Sequence, residues 1–292
     1  WLYEQGKIRE VIDELRAKEL AYDSDGAVWF RTTALGLDKD KVIVKSSGEP
    51  TYRLPDIAYH REKFRRGYDL MIDVFGADHI ATFPDVLAAL KALGLDERRV
   101  TVLIHQFVTI LQDGEVVKMS TRKANFITLD ELIGEVGADV VRYFFLMRTI
   151  SSHLNFDLGL AKKQSDENPV YYLQYAHARI CSMLRYAGEE SAEDAGTGFD
   201  PSLLSSTAET DLIKTLLLFP ETVESCALAY EPHRLAEYLQ GVATAFHRFY
   251  HECRVVTEDV SLTRSRLALS RATRCVLANG FDILGISAPQ QM

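Results

Sequence analysis

Two short apolar runs with a helical stretch between them limit this chain more than any other feature. They are Leu-Met-Ile-Asp-Val-Phe at 70–75 and Val-Thr-Val-Leu-Ile-His-Gln-Phe at 100–107. Both are short and rich in residues that suit buried strands, and residues 83–93 repeat their apolar side chains at helical spacing. Strand, helix and strand over this length form a crossover unit, which predicts a parallel α/β sheet. Ligands of such sheets lie beyond the carboxyl ends of the strands. Those ends carry Gly76-Ala77-Asp78-His79 and His105-Gln106-Phe107. Gly76 permits close backbone approach, and Asp78 stands where a carboxylate binds ribose hydroxyls, although a turn glycine and a capping aspartate give the same letters. His79 and His105 are either polar framework or ligand contacts.

Ahead of this unit, residues 8–20 read as an amphipathic helix, 23–26 as a turn, and 27–32 and 41–45 as strands. Residues 51–64 then lead into a helix that Pro55 helps to start. Tyr52 and Asp56 lie four residues apart there, placed to converge on one pocket. Asp56 equally serves as an ordinary partner of the helix N-terminus.

Residues 109–117 read as a hairpin turning at Asp113-Gly114, followed by Lys118-Met119-Ser120-Thr121-Arg122-Lys123-Ala124-Asn125. Three cations, two hydroxyls and an amide in one short loop suit a polyanion that is gripped and released. A solvated basic loop has the same composition.

Beyond the loop, residues 129–148 read as one helix with weak points at Gly134 and Gly137, 149–157 as a polar loop, and 158–167 as a helical linker. From Asn168 onward the chain reads as all-helical. In the first of these helices Leu173, Ala176, Ile180, Met183 and Leu184 form the core stripe, while Tyr171, Gln174, Tyr175, Ala178 and Arg179 point elsewhere. Tyr171, Tyr175 and Arg179 share a face suited either to stacking on unpaired bases or to helix packing. Residues 188–207 read as a loop, and helices follow at 209–230, 231–253 and 263–284. Arg264, Arg271 and Arg274 fall roughly on one face of the last, a phosphate track or a solvated surface.

The formal charge of −9 excludes a generic polyanion binder, so any nucleic-acid surface is local. Cys181, Cys226, Cys253 and Cys275 are widely spaced, which argues against a zinc site or a disulfide framework and suits a reducing, cytoplasmic setting. No apolar run approaches the ~20 residues of a membrane helix, so no membrane partner is expected.

Several stretches, in order, resemble bacterial arginyl-tRNA synthetases, a family of class I aminoacyl-tRNA synthetases. They are Thr51-Tyr52-Arg53-Leu54-Pro55-Asp56-Ile57-Ala58-Tyr59-His60, the loop at 118–125, Gly137-Ala138-Asp139-Val140-Val141-Arg142-Tyr143, the run Asn-Pro-Val-Tyr-Tyr-Leu-Gln-Tyr-Ala-His-Ala-Arg at 168–179, and Leu284-Gly285-Ile286. The resemblance implies the second half of a Rossmann-type parallel-sheet catalytic domain over residues 1–160, followed by a helical-bundle anticodon-binding domain over 161–292. It implies a ligase that joins arginine to tRNA-Arg through an arginyl-adenylate, with ATP and Mg2+ as substrate and no metal held by the protein, in a monomeric parent.

By resemblance, Tyr52 and Asp56 hold the arginine side chain. Gly76, Asp78, His79, His105 and Val108 line the ATP site. Lys118, Met119 and Ser120 form its "KMSKS" loop, with Lys118 and Ser120 stabilising charge at the phosphates. Tyr171, Tyr175, Arg179, Arg264, Arg271 and Arg274 meet tRNA.

Three departures stand out. Thr121 replaces the usual second lysine of the loop, Ile80-Ala81-Thr82-Phe83 follow the Gly-Ala-Asp-His stretch where the family often has another His and a Gly, and the sequence contains no "HIGH" tetrapeptide. The chain is therefore expected to be a C-terminal portion that does not catalyse alone. A noncatalytic, synthetase-like tRNA-binding protein is the second expectation.

Overall fold

The computed structural model describes residues 1–117, 127–188 and 199–292. They form two compact units, Trp1–Phe107 and Val108–Met292.

The first unit opens with helix α1 (Lys7–Ala17), whose Ile8, Val11 and Leu15 recur at helical spacing and are buried. An antiparallel meander follows: β1 (Ala21–Ser24), β2 (Ala27–Phe30) and β3 (Lys41–Val44). The expected turn at 23–26 is narrower than the sequence implied. Asp23 and Ser24 pair with Val28 and Ala27, and only Asp25 and Gly26 turn the chain, both at positive φ. That geometry matches the twist of a two-residue hairpin.

Helix α2 (Arg53–Arg65) leads to β4 (Met71–Gly76), α3 (Phe83–Ala92) and β5 (Val100–His105). The strands β4 and β5 pair in parallel from Met71↔Val100 to Gly76↔His105, so the crossover unit forms as the sequence predicts. Alternation along β4 buries Met71 and Asp73 while Ile72 and Val74 are exposed, leaving an apolar face outward. The core joins Val11, Leu15, Phe30, Ile43, Leu54, Ile57, Val86 and Leu90.

In the second unit β6 (Val108–Gln112) pairs antiparallel with β7 (Glu115–Val116) through the predicted Asp113-Gly114 turn. Helices α4 (Leu129–Val136) and α5 (Ala138–Leu146) stand where a single helix was expected. Gly137, at φ 88° and ψ 152°, breaks the helix, a conformation closed to side chains with a Cβ. The expected polar loop at 149–157 contains strand β8 (Leu154–Asp157), parallel to β6, with Leu154 and Phe156 buried. The expected linker helix shortens to α6 (Leu158–Ala161).

Asn168 starts α7 (Pro169–Tyr186). Its side chain accepts from the Val170 amide and donates to the carbonyls of Ala161 and Lys163. The core stripe is as predicted, but Ala178, expected to point away, is buried.

The expected helix at 209–230 is two, α8 (Thr207–Leu217) and α9 (Phe219–Ala229), because Pro220 near the start of α9 cannot continue the hydrogen-bond ladder. Helix α10 (His233–Glu252) packs on α7, α8 and α9, and α11 (Val260–Leu284) closes the bundle. The segment after α11 is tied back: the Ser287 amide and hydroxyl donate to Asp139, His177 Nδ1 meets the Pro289 carbonyl, and Arg185 donates to the Gln290 carbonyl.

Among the described residues no helix is long and apolar enough to cross a membrane. All four cysteines are free thiols.

Candidate functional site

The first candidate site lies at the carboxyl ends of β4 and β5. Parallel register sets Gly76 beside His105, and a short turn after Gly76 carries Asp78 and His79. The Asp78 carboxylate leans over Gly76, where a Cβ would stand 2.5 Å from its Oδ1. His79 stacks on Phe75 with centroids 5.3 Å apart and holds its Nε2 3.7 Å from Asp78 Oδ2. His105 Nδ1 lies 2.6 Å from the Gln106 carbonyl oxygen. The structure thus brings four sequence-predicted residues, Gly76, Asp78, His79 and His105, to one strand end. Val108 begins β6 in the other unit.

Asp56 sits in the first turn of α2 and lines a small hollow with His60, Asp73, Phe75 and His79. Burial pushes its carboxyl above the usual range, His60 and His79 pull it back, Asp73 adds to the rise, and Lys63 opposes it. Tyr52, at the same helix end, is 92% exposed and does not line that hollow. Lys118, Met119 and Ser120 lie outside the described residues.

Sequence reasoning missed one cluster beside Asp56. His60 Nε2 lies 2.5 Å from Asp73 Oδ2, and Lys63 Nζ lies 2.6 Å from Asp73 Oδ1. Burial raises Asp73, but the hydrogen bonds from His60 and Lys63 outweigh it and hold this carboxyl below the usual range. The signal available in sequence was the i, i+4 spacing of Asp56 and His60.

The second candidate site is a cleft of about 870 Å³ in the helical unit, lined by Tyr175, Arg179, Arg185, Tyr250, Arg254 and Met292 among others. Tyr171 and Tyr175 stack with centroids 6.1 Å apart and rings 8° from parallel. The Arg179 guanidinium lies 4.9 Å from the Tyr175 ring centre and 4.7 Å from that of Tyr250. Flat cationic and aromatic groups around an open cleft can take a nucleobase and its phosphate. Tyr250 and Arg254 were not predicted, because their place beside α7 is set by helix packing.

His247, behind Tyr172 and Tyr175, is kept toward its neutral form by burial and by Arg179. On α11, Arg264 is exposed while Arg271 and Arg274 are half-buried. Arg266 turns inward to Glu209 at 2.7 Å. Among the described residues no group of three His, Cys, Asp or Glu is placed to hold a metal ion.

Comparison with known proteins covers nearly the whole chain. Residues 2–142 match the model of the class I tRNA synthetase (R) catalytic domain, and residues 173–292 match that of the DALR anticodon binding domain. The arginine–tRNA ligase of Desulfotalea psychrophila is 55% identical over 294 residues, covering 100% of this chain and 53% of that protein. That of Chlorobaculum parvum is 56% identical over 286 residues, covering 97% and 52%. The chain therefore spans about half the length of these curated relatives.

An arginyl-tRNA synthetase structure from Campylobacter jejuni superposes with a TM-score of 0.89 at 31% identity, covering 100% of this chain and 63% of that one. The Thermus thermophilus arginyl-tRNA synthetase shares the fold, with a TM-score of 0.78 at 24% identity over 98% of this chain and 58% of that one. With a catalytic-domain match followed by an anticodon-domain match in one chain, and whole-chain likeness to arginine–tRNA ligases, the chain belongs to the arginyl-tRNA synthetase family.

Proposed function

We propose that the protein joins arginine to tRNA-Arg in the cytoplasm, through an arginyl-adenylate made from ATP with Mg2+. In this reading residues 1–160 contribute one side of the catalytic site and 161–292 bind the anticodon region. Asp56 faces the guanidinium, for which a carboxylate is the natural partner, and Tyr52 at the same helix end reaches the arginine from outside the Asp56 hollow. Gly76, Asp78, His79, His105 and Val108 face the nucleoside of ATP. Lys118, Met119 and Ser120 grip its phosphates, with Lys118 and Ser120 stabilising charge as it develops. Tyr171, Tyr175, Arg179, Arg264, Arg271 and Arg274 meet the tRNA.

The observation that carries this reading is the gathering of Gly76, Asp78, His79 and His105 at one parallel strand end, in the unit that also holds Asp56 in a half-buried hollow. The test is aminoacylation by the full-length protein with each of the standard amino acids. Charging of arginine alone is expected, and charging of any other amino acid instead would sink the assignment.

A second reading is a tRNA-binding chain without catalysis of its own, for which the aromatic and cationic cleft at Tyr175, Arg179 and Tyr250 is the supporting observation. This chain alone is expected to bind tRNA in a salt-dependent way and to form no arginyl-adenylate. Adenylate formation by the isolated chain would overturn that expectation.

A further inference from the structure

Asp73 places a second carboxylate beside Asp56. It sits on the buried side of β4 and faces α2, where both of its oxygens are taken: Oδ2 by His60 Nε2 at 2.5 Å and Oδ1 by Lys63 Nζ at 2.6 Å. His60 Nδ1 is 2.8 Å from the main-chain carbonyl oxygen of Asp56, so both ring nitrogens face acceptors. The Lys63 ammonium also lies 3.4 Å from His60 Nε2, so the three side chains form one cluster. The side chains of His60, Asp73 and Lys63 are 4%, 9% and 15% exposed, so solvent screens them little.

The charged groups that act on Asp56 are His60 and Lys63 from its own helix, Asp73 from β4 and His79 from the turn after β4. The rest of the hollow is formed by Phe75, Thr82, Phe83, Val86, Leu87 and Val102, so α3 and β5 bring no charge to it. Two carboxylates sharing a partly buried site oppose each other's ionisation, and a cation bonded to one of them relieves the other. Gluing α2 to β4 would need only one such bond, whereas both oxygens of Asp73 are engaged, one by His60 and one by the Lys63 ammonium.

We propose that His60 and Lys63 are positioning residues for arginine recognition: they clamp Asp73 from two sides so that its charge does not oppose that of Asp56, and Asp56 meets the guanidinium as a carboxylate. The proposal rests on the reading of Asp56 as the partner of the arginine side chain. Neither His60 nor Lys63 is required to touch the substrate.

The test uses full-length enzyme and aminoacylation kinetics, with KM for arginine and for ATP measured between pH 6 and 8. Because KM does not depend on the active fraction, partial misfolding of a variant does not mimic the effect. K63M is expected to raise the arginine KM several-fold more at pH 6 than at pH 8, with ATP KM unchanged. H60Q, which keeps a donor toward Asp73 but no charge, moves the same way. In K63M/D73N the second carboxylate is gone, and the arginine KM at pH 6 returns toward that of the parent.

A K63M effect equal at every pH, or a double variant no better than K63M, overturns the clamp and leaves a structural tie between α2 and β4. D56N separates the two levels. If it leaves arginine KM unchanged, the role of Asp56 itself fails; if it raises arginine KM selectively while K63M shows no pH dependence, only the clamp fails.

Discussion

The Asp78 carboxylate folds back over Gly76, leaving only 2.5 Å between its Oδ1 and the place a Cβ would occupy. Gly76→Ala therefore drives the carboxylate off the strand end rather than straining the backbone, since φ at Gly76 is an ordinary −68°. In the full-length enzyme this substitution should raise ATP KM by about tenfold, the scale of one lost hydrogen bond to a charged group, with arginine KM little changed. Initial-rate kinetics with each substrate varied in turn check it, and equal rises for both would remove Asp78 from the nucleotide site.

Arg179 lies between the rings of Tyr175 and Tyr250, so its contribution depends on planarity as well as charge. Arg179→Lys keeps the charge and loses the flat stack. It should weaken tRNA binding by about tenfold, on the order of one or two cation–π contacts, without changing the salt dependence. Exposed Arg254 lines the same cleft, and Arg254→Ala should reduce the slope of log affinity against log salt by about one. Binding titrations at several salt concentrations separate the two effects.

Glu209 is 1% exposed, accepts the Ser206 amide in a capping box, and pairs with Arg266 at 2.7 Å. Burial pushes its carboxyl up, but the bonds from Arg266 and Ser206 prevail and hold it below the usual range. Its folded pKa is thus below its unfolded one, so its stabilising contribution is present above the ordinary glutamate range and is lost as pH falls through the folded value. Arg266→Met strands the buried carboxylate and should cost about 3–5 kcal/mol near neutral pH, with part of that loss recovered in acid. Denaturant melts at pH 7 and pH 4 measure both.

Tyr143 is 1% exposed, donates to the Ala236 carbonyl and receives the Gln240 amide at 3.0 Å. Tyr143→Phe should cost about 1–1.5 kcal/mol, because Gln240 keeps its second bond, to the Pro169 carbonyl. Burial pushes the Tyr143 hydroxyl up to about 12. A raised pKa means its contribution is complete below the unfolded value near 10 and is lost as pH rises toward 12. The phenylalanine variant should therefore lose less stability than the parent between those limits, as thermal melts in alkaline buffer will report.

Much of this was legible in the sequence wherever the signal was local. Residues 70–107 announced a crossover unit because two apolar runs flank a helical period, and the strand-end residues followed from that. Strand β8 was hidden because only Leu154 and Phe156 alternate, between polar neighbours, and its parallel partner β6 is remote in sequence. The breaks at Gly137 and before Pro220 were masked by apolar spacing that continues across them. In the candidate sites, single positions such as Asp56 and Arg179 were accessible, but Asp73 beside His60 and Tyr250 over Arg179 depend on packing between elements. A one-dimensional pattern does not encode those meetings.

The ties of residues 287–290 to Asp139, His177 and Arg185 bear on how the helical unit is made. A chain leaving the ribosome presents α5 and α7 long before Ser287 exists, so until the segment after α11 arrives Asp139 has Gln174 of α7 but not Ser287 as a donor. Closing so distant a contact adds little entropy cost over a shorter loop, since that cost grows only with the logarithm of loop length. The delay is one of synthesis rather than of thermodynamics. The bundle helix α11 and the strap that follows it are therefore completed together, and α5 and α7 gain both partners at the same late stage.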